Sequence, residues 1–247
     1  MISACSPPKP TDLTPPTPVS EPAPVRAEAL PPEPEPTETI TLAEGLRLNR
    51  SERWIELDGF VPIDVREQDR TGYTLIRYLE CIAVTPTSGK DHEALIVTSV
   101  RPSLIHAALV TLDLKPGSPG SVSWDGTRAV MNPATGDPVH VTYRERGEPP
   151  PGASITDYIV HADTGGSFDA RAQWVFAGSL FEQDRYVADA DGLVVGFHTF
   201  GSELVALQRA MSPDSFIEEP RWIAHPERTP GFGDLVTIRI SADGSPG

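Results

Sequence analysis

The sequence predicts an α+β domain: strand-dominated, with a mostly antiparallel sheet and one or two covering helices. Three observations carry that expectation. From about residue 41 onward the chain breaks into short alternating or β-branched segments separated by Gly, Pro, Asn and Asp. Residues 102–112 give the clearest apolar spacing of a helix. Ahead of all this lies a stretch that cannot join a packed domain, because 12 of the 27 prolines fall in the first 40 residues, which hold no Phe, Trp or Tyr.

Taken in order, Leu46-Arg47-Leu48-Asn49 and Trp54-Ile55-Glu56-Leu57 alternate apolar and polar around Asn49-Arg50-Ser51-Glu52, which predicts an opening hairpin. Residues 74–84 include Leu75, Ile76, Leu79, Cys81, Ile82 and Val84, and the β-branched end reads as strand. Residues 94–100 are apolar on both faces at their start, the pattern of a strand covered on both sides. Pro102 suits a first helical turn, Leu104, Ile105, Ala108, Leu109 and Leu112 form one stripe, and Lys115-Pro116-Gly117 ends it. Strands are expected at 139–145, 174–177 and 186–188, the last pairing with 193–197 across Asp189-Ala190-Asp191-Gly192. A short helix is expected over 202–210 and a final alternating strand over 235–240.

The organisation that follows is a lipobox-like start and Pro-rich acidic linker over 1–43, one domain over 44–241, and a flexible tail over 242–247. In residues 1–40 six acids face Lys9 and Arg26, and proline removes donors that a helix or ladder needs. Such a stretch is expected to be disordered and partly polyproline II, reaching on the order of 100 Å at about 3.1 Å per residue. Ile2-Ser3-Ala4-Cys5 has the form of a bacterial lipobox, with Cys5 as the lipid anchor, although the basic and apolar regions of a signal peptide do not precede it. The expected reconciliation is a true start upstream of Met1. The expected location is therefore the cell envelope, exported and lipid-anchored, in the periplasm or at the outer membrane.

Composition narrows the chemistry. No run of 18 apolar residues is present, so no membrane-spanning helix is expected. Two cysteines cannot build a four-thiolate cluster or a cysteine-based zinc site. A net charge of −15 speaks against nucleic acid as a partner, since phosphate binding needs a basic patch. Neither a phosphate-cradling P-loop nor a dinucleotide fingerprint occurs, and no cofactor or metal is expected.

The candidate binding residues are Lys90, His92, Glu93 and His106. Lys90-Asp91-His92-Glu93 places four polar residues on the turn before a buried strand, where a histidine beside a carboxylate suits general acid–base work or metal ligation. The alternative is a hydrogen-bonded corner whose side chains satisfy loop backbone. His106 lies off the helix's apolar stripe and is expected to face a groove or a second layer, or to be a satisfied buried histidine. A metal shared by the two histidines is not expected: a strand over 94–100 advances about 23 Å and the helix returns only about 6 Å. Gly178-Ser179 lacks the second glycine of a nucleophile elbow and reads as close packing beside Trp174 and Phe176. Cys81 sits in an apolar run and reads as an inert core thiol. Asp189, Asp191 and Gly192 read as a turn, not as a calcium loop.

Three separated motifs resemble the YdjY-domain family of bacterial, often lipid-anchored proteins. They are Leu79-Glu80-Cys81 leading to Lys90-Asp91-His92-Glu93-Ala94-Leu95; Arg101-Pro102-Ser103-Leu104-Ile105-His106-Ala107-Ala108-Leu109; and Trp174-Val175-Phe176-Ala177-Gly178-Ser179 followed by Tyr186-Val187-Ala188-Asp189. The resemblance covers about residues 44–240, with the motifs in the family's order. The resemblance implies an exported protein and supplies no catalytic residues to carry over. The function expected from all this is a cell-envelope lipoprotein whose domain binds or assembles with an envelope protein, a wall polymer or a small ligand. The alternative is a metal-assisted or acid–base enzyme using Lys90, His92 and Glu93.

Overall fold

The computed structural model describes residues 38–242 of the chain. The start with Cys5, the Pro-rich segment up to residue 37 and the tail after residue 242 lie outside the described residues. The first strands are β1 (Thr39–Ala43), β2 (Leu46–Asn49) and β3 (Trp54–Phe60). The expected hairpin forms, with Leu46 opposite Leu57 and Asn49 opposite Trp54. β1 adds an antiparallel strand to β2 within the stretch 1–43 that the sequence assigns to the linker. There follow β4 (Cys81–Val84), β5 (Ala94–Val97), helix α1 (Pro102–Thr111), β6 (Pro138–Glu145) and β7 (Trp174–Phe176). The chain continues through the short helix α2 (Val187–Asp191), β8 (Leu193–Gly196) and β9 (Val205–Leu207) to β10 (Leu235–Ala242).

The expected fold class is corrected by the way these strands join. They run β3-β10-β6-β7-β9-β8-β4-β5, and β5 pairs back to β3 through Phe60 and Val97, closing a barrel of eight strands. A sheet with covering helices has two free edges; here the last edge finds the first. Two joints, β4 with β5 and β8 with β9, are parallel, and the other barrel pairs are antiparallel. Closure is possible because residue 59 is glycine. A Cβ there would stand 2.6 Å from both the Val97 carbonyl oxygen and Ile96 Cγ2, so any side chain would hold β3 away from β5. Thr98 Oγ1 donates to the Asp58 carbonyl at 2.8 Å and fastens the same seam.

Alternation decides what faces the interior. Ile55 and Leu57 on β3, Val139, Val141 and Tyr143 on β6, and Val236, Ile238 and Ile240 on β10 join one buried cluster. Eight strands enclose a space that side chains of this size fill, so the barrel is a core. Helix α1 adds Ile105, Ala108, Leu109 and Leu112 to that cluster, whereas Leu104, expected in the same stripe, is exposed. On the outer side of β4, β5 and β8, Cys81, Val84, Ala94, Val97 and Leu193 form a second buried cluster. These strands are therefore covered on both faces, the pattern read from residue 94 onward.

Other local expectations are revised by distant partners. Residues 74–84 are strand only over Cys81–Val84. The segment 186–188 does not pair with 193–197: Val187–Asp191 is helical and ends on Gly192 in the left-handed region, with φ of 70°. Its Asp189 accepts Ser103 N–H at 2.8 Å and Arg101 Nη2 at 3.1 Å, thereby capping α1, whose own cap residue Arg101 offers no acceptor. Nor is there a helix over 202–210. Val205–Leu207 runs parallel to Leu193–Gly196, reached through residues 197–204. Parallel neighbours ordinarily need a crossover of roughly a dozen residues or more, so this short connection requires its own fastening.

Outside the barrel, β2, β3, β10 and β6 carry a charge network. Arg144 Nη2 and Arg239 Nη2 reach Glu56 Oε1 at 2.7 and 2.9 Å, and Arg47 Nε reaches Glu56 Oε2 at 3.3 Å. Arg47 also grips Asp58 with two hydrogen bonds of 2.8 and 2.7 Å. The Arg239 guanidinium lies 4.1 Å from the centre of the Trp54 ring.

Candidate functional site

The parallel pairing of β4 and β5 sets Cys81 opposite Ala94. The residues just before them, Glu80 and Glu93, consequently sit side by side, with Glu80 N–H donating to the Glu93 carbonyl at 2.9 Å. Lys90, at the head of the short 3-10 turn Asp91–Glu93, places Nζ 2.6 Å from Glu80 Oε2 and 3.5 Å from Glu93 Oε2. The same ammonium lies 4.5 Å from the centre of the Phe200 ring. Partial burial pushes both carboxyls upward. For Glu80, hydrogen bonds from Lys90 and Glu93 and the charge of Lys90 outweigh burial and hold it below the usual range. For Glu93, the neighbouring Glu80 adds to burial and raises it. The two neighbouring carboxyls are thus shifted in opposite directions, Glu93 upward and Glu80 downward, an environment that separates an acid role from a base role. Replacing Lys90 by Met should move the Glu80 titration midpoint upward, read by carboxyl-carbon NMR. An unmoved midpoint would show that Lys90 does not hold that carboxylate.

The loop after β8 completes this corner. His198 N–H donates to the Glu80 carbonyl at 2.9 Å. Its ring is buried, Nδ1 has no partner, and burial lowers its pKa against the opposing charges of Glu80 and Glu218. Glu203, fully buried, accepts the backbone N–H of Phe200 and that of Gly201 at 3.1 Å, which fastens the short crossover. Burial raises its pKa, and those N–H bonds work the other way. Cys81, adjacent to Glu80, has no exposed surface, and burial pushes its thiol far up. That is the environment of an unreactive thiol.

His92 borders this corner, its side chain 58% exposed, with Asp91 Oδ1 and Glu93 Oε1 each 3.7 Å from a ring nitrogen. It lines an open cleft of about 420 Å³ together with Asp64, Glu67, Arg77, Asp91 and Phe232. Arg77 Nη2 is paired with Glu67 Oε2 at 2.5 Å.

His106 belongs elsewhere. The Tyr186 hydroxyl donates its one proton to the Gly178 carbonyl at 3.0 Å, so at 2.9 Å it accepts from His106 Nδ1–H. Ring edges of Phe176 and Tyr186 pack against the imidazole, and burial lowers its pKa. Nearby, Ser179 Oγ donates to the Ser202 carbonyl at 2.7 Å and accepts Ala188 N–H at 3.1 Å, so its hydroxyl fastens backbone. Of the four sequence candidates, the structure brings Lys90 and Glu93 together, sets His92 on the adjoining cleft and leaves His106 in a separate network. Glu80, His198 and Phe200 were not singled out. Glu80 lies within the Leu79-Glu80-Cys81 motif, a signal that was present; His198 joins only through tertiary contact. Among the described residues no group of three or more His, Cys, Asp or Glu side chains is arranged to hold a metal ion.

A family model described as the YdjY domain matches residues 47–241. That span contains all three sequence motifs, the barrel but for the last residue of β10, and the Lys90 corner. No curated protein and no solved structure matches the chain.

Proposed function

From the premise that this chain belongs to the YdjY-domain family, we propose that it is an exported envelope protein, tethered by a lipid on Cys5, whose barrel serves as a binding domain. The observation that carries the binding reading is the filled barrel. With the interior occupied by side chains from every wall, a partner meets the outer surface, where the cleft beside the Lys90 corner combines concavity with polar groups. The tether reading is supported by Ile2-Ser3-Ala4-Cys5 and the proline-rich acidic stretch that follows it. The partner classes remain an envelope protein, a wall polymer or a small ligand.

Cells expressing the full gene are expected to incorporate a radiolabelled fatty acid into the protein, and Cys5→Ser is expected to abolish the label. Equal labelling of both forms, or none in either, overturns the tether. A second reading is acid–base catalysis by the same corner, and one observation favours it: Lys90 lies between two adjacent carboxyls, of which burial and Glu80 raise Glu93 while Lys90 and Glu93 hold Glu80 down. It requires turnover that Glu93→Gln removes while the fold persists.

A further inference from the structure

The cleft beside the Lys90 corner is lined by unlike groups: the carboxylates of Asp64, Glu67 and Asp91, the guanidinium of Arg77, the imidazole of His92 and the ring of Phe232. Glu67 is spent on Arg77. Asp64 Oδ1 accepts Arg66 N–H at 2.9 Å, and Asp91 approaches His92 at 3.7 Å; neither pairs with a lysine or arginine among the described residues. Phe232, in the same lining, is 67% exposed. The apolar surface continues past the cleft: Gly233 N–H and the Val61 carbonyl join the two loops at 2.8 Å, and next to them Phe60 and Leu235, both exposed, are register partners.

We infer that this cleft docks a lysine- or arginine-bearing segment of a partner polypeptide, with the cation between Asp64 and Asp91 and an adjoining apolar side chain against Phe232. Charge complementarity selects the cation. Two carboxylates that pair with no lysine or arginine among the described residues, on a chain of net charge −15, repel acidic ligands and attract basic ones. The exposed phenyl ring selects the second feature, since an aromatic face attracts a nearby cation and gains from covering apolar surface. Size sets the scale. A cleft of about 420 Å³ is at the small end of the range for ligand sites, enough for one or two side chains. The strip formed by Phe60 and Leu235 beyond it suits a ligand that continues as a chain, so a peptide segment fits better than a free amine. The inference rests on the binding reading above and narrows it to one partner class.

Fluorescence anisotropy on the full chain tests it with three labelled synthetic peptides of equal length, alternating Lys with Phe, Glu with Phe, and Lys with Ser. The Lys/Phe peptide is expected to bind, and the other two to bind much more weakly. Asp64→Asn with Asp91→Asn, and separately Phe232→Ser, should each weaken binding about fivefold or more, equivalent to about 1 kcal/mol. Asn preserves the acceptor for Arg66 N–H, and Phe232 is exposed, so these changes leave the fold in place. The control Glu182→Gln with Asp184→Asn removes two charges from the hairpin strands Phe181–Glu182 and Arg185–Tyr186, outside the cleft lining, and should leave binding unchanged. Absence of Lys/Phe binding, equal binding of the Glu/Phe peptide, or an equal effect of the control variant overturns the assignment. The fatty-acid labelling result is independent of all of these, so failure of the tether and failure of the cleft are read separately.

Discussion

Glu56→Gln is expected to lower unfolding free energy by about 3 kcal/mol, read as a lower urea midpoint with an unchanged slope. The reason is the company Glu56 keeps. Its side chain is 5% exposed, and those of Arg144 and Arg239, which both bond to its Oε1, are 11% and 12% exposed. An amide of the same shape leaves two nearly buried guanidiniums without their countercharge, the costly way to break a buried ion pair. The effect has a pH signature. Burial works against ionisation of Glu56, but hydrogen bonds from Arg144 and Arg239 and their charges win, so its folded pKa lies below the usual carboxylate range. A carboxyl whose folded pKa is depressed contributes stability that is complete above its unfolded pKa and disappears as pH falls through the folded one. The gap between wild type and Glu56→Gln should therefore be full at neutral pH and begin to close below about pH 4. A gap that is absent at neutral pH, or that does not close on acidification, would sink this account.

The second large effect is expected at the seam. Gly59→Val should cost about 3 kcal/mol, at the upper end of what overpacking typically does. The added atoms have nowhere to go, because the first of them would meet the backbone carbonyl of Val97 and the Ile96 side chain at 2.6 Å. Backbone cannot rotate out of the way as the end of a long side chain can. The expected consequence is local as well as global: amide exchange at Val97 and Thr98 should accelerate more than in β10, which is held on both sides. Unchanged stability with unchanged exchange at the seam would mean that β3 and β5 are not joined there.

Much of the barrel's material is legible in the residues. Ile55 and Leu57 alternate with Glu56 and Asp58, which marks one face for the core and one for the ion network. Pro102 and the Ile105, Ala108, Leu109, Leu112 spacing mark α1. Legibility stops where a residue's state depends on a distant partner. The local pattern over 202–210 predicts a helix, yet Val205–Leu207 is strand because β7 and β8 offer edges on either side. The residues around Asp189 predict a turn, yet Asp189 caps a helix 86 residues away in sequence. At the candidate site, Lys90 and Glu93 are visible as neighbours on a polar turn. Glu80 joins them only because β4 and β5 lie parallel, and a register shifted by one residue would point one carboxyl away.

The sequence by itself therefore determined the opening hairpin, several later strands with their inward faces, and the helix with its proline start. These follow from local steric preference and from periodic burial, properties that a short window of residues carries. The tertiary structure alone decided that the sheet closes into a barrel, that Glu80 and Glu93 meet at the Lys90 ammonium, and that Asp64, Asp91 and Phe232 line one cleft. Each depends on which strand edges meet, and edge pairing is a contest among distant segments that no single segment records.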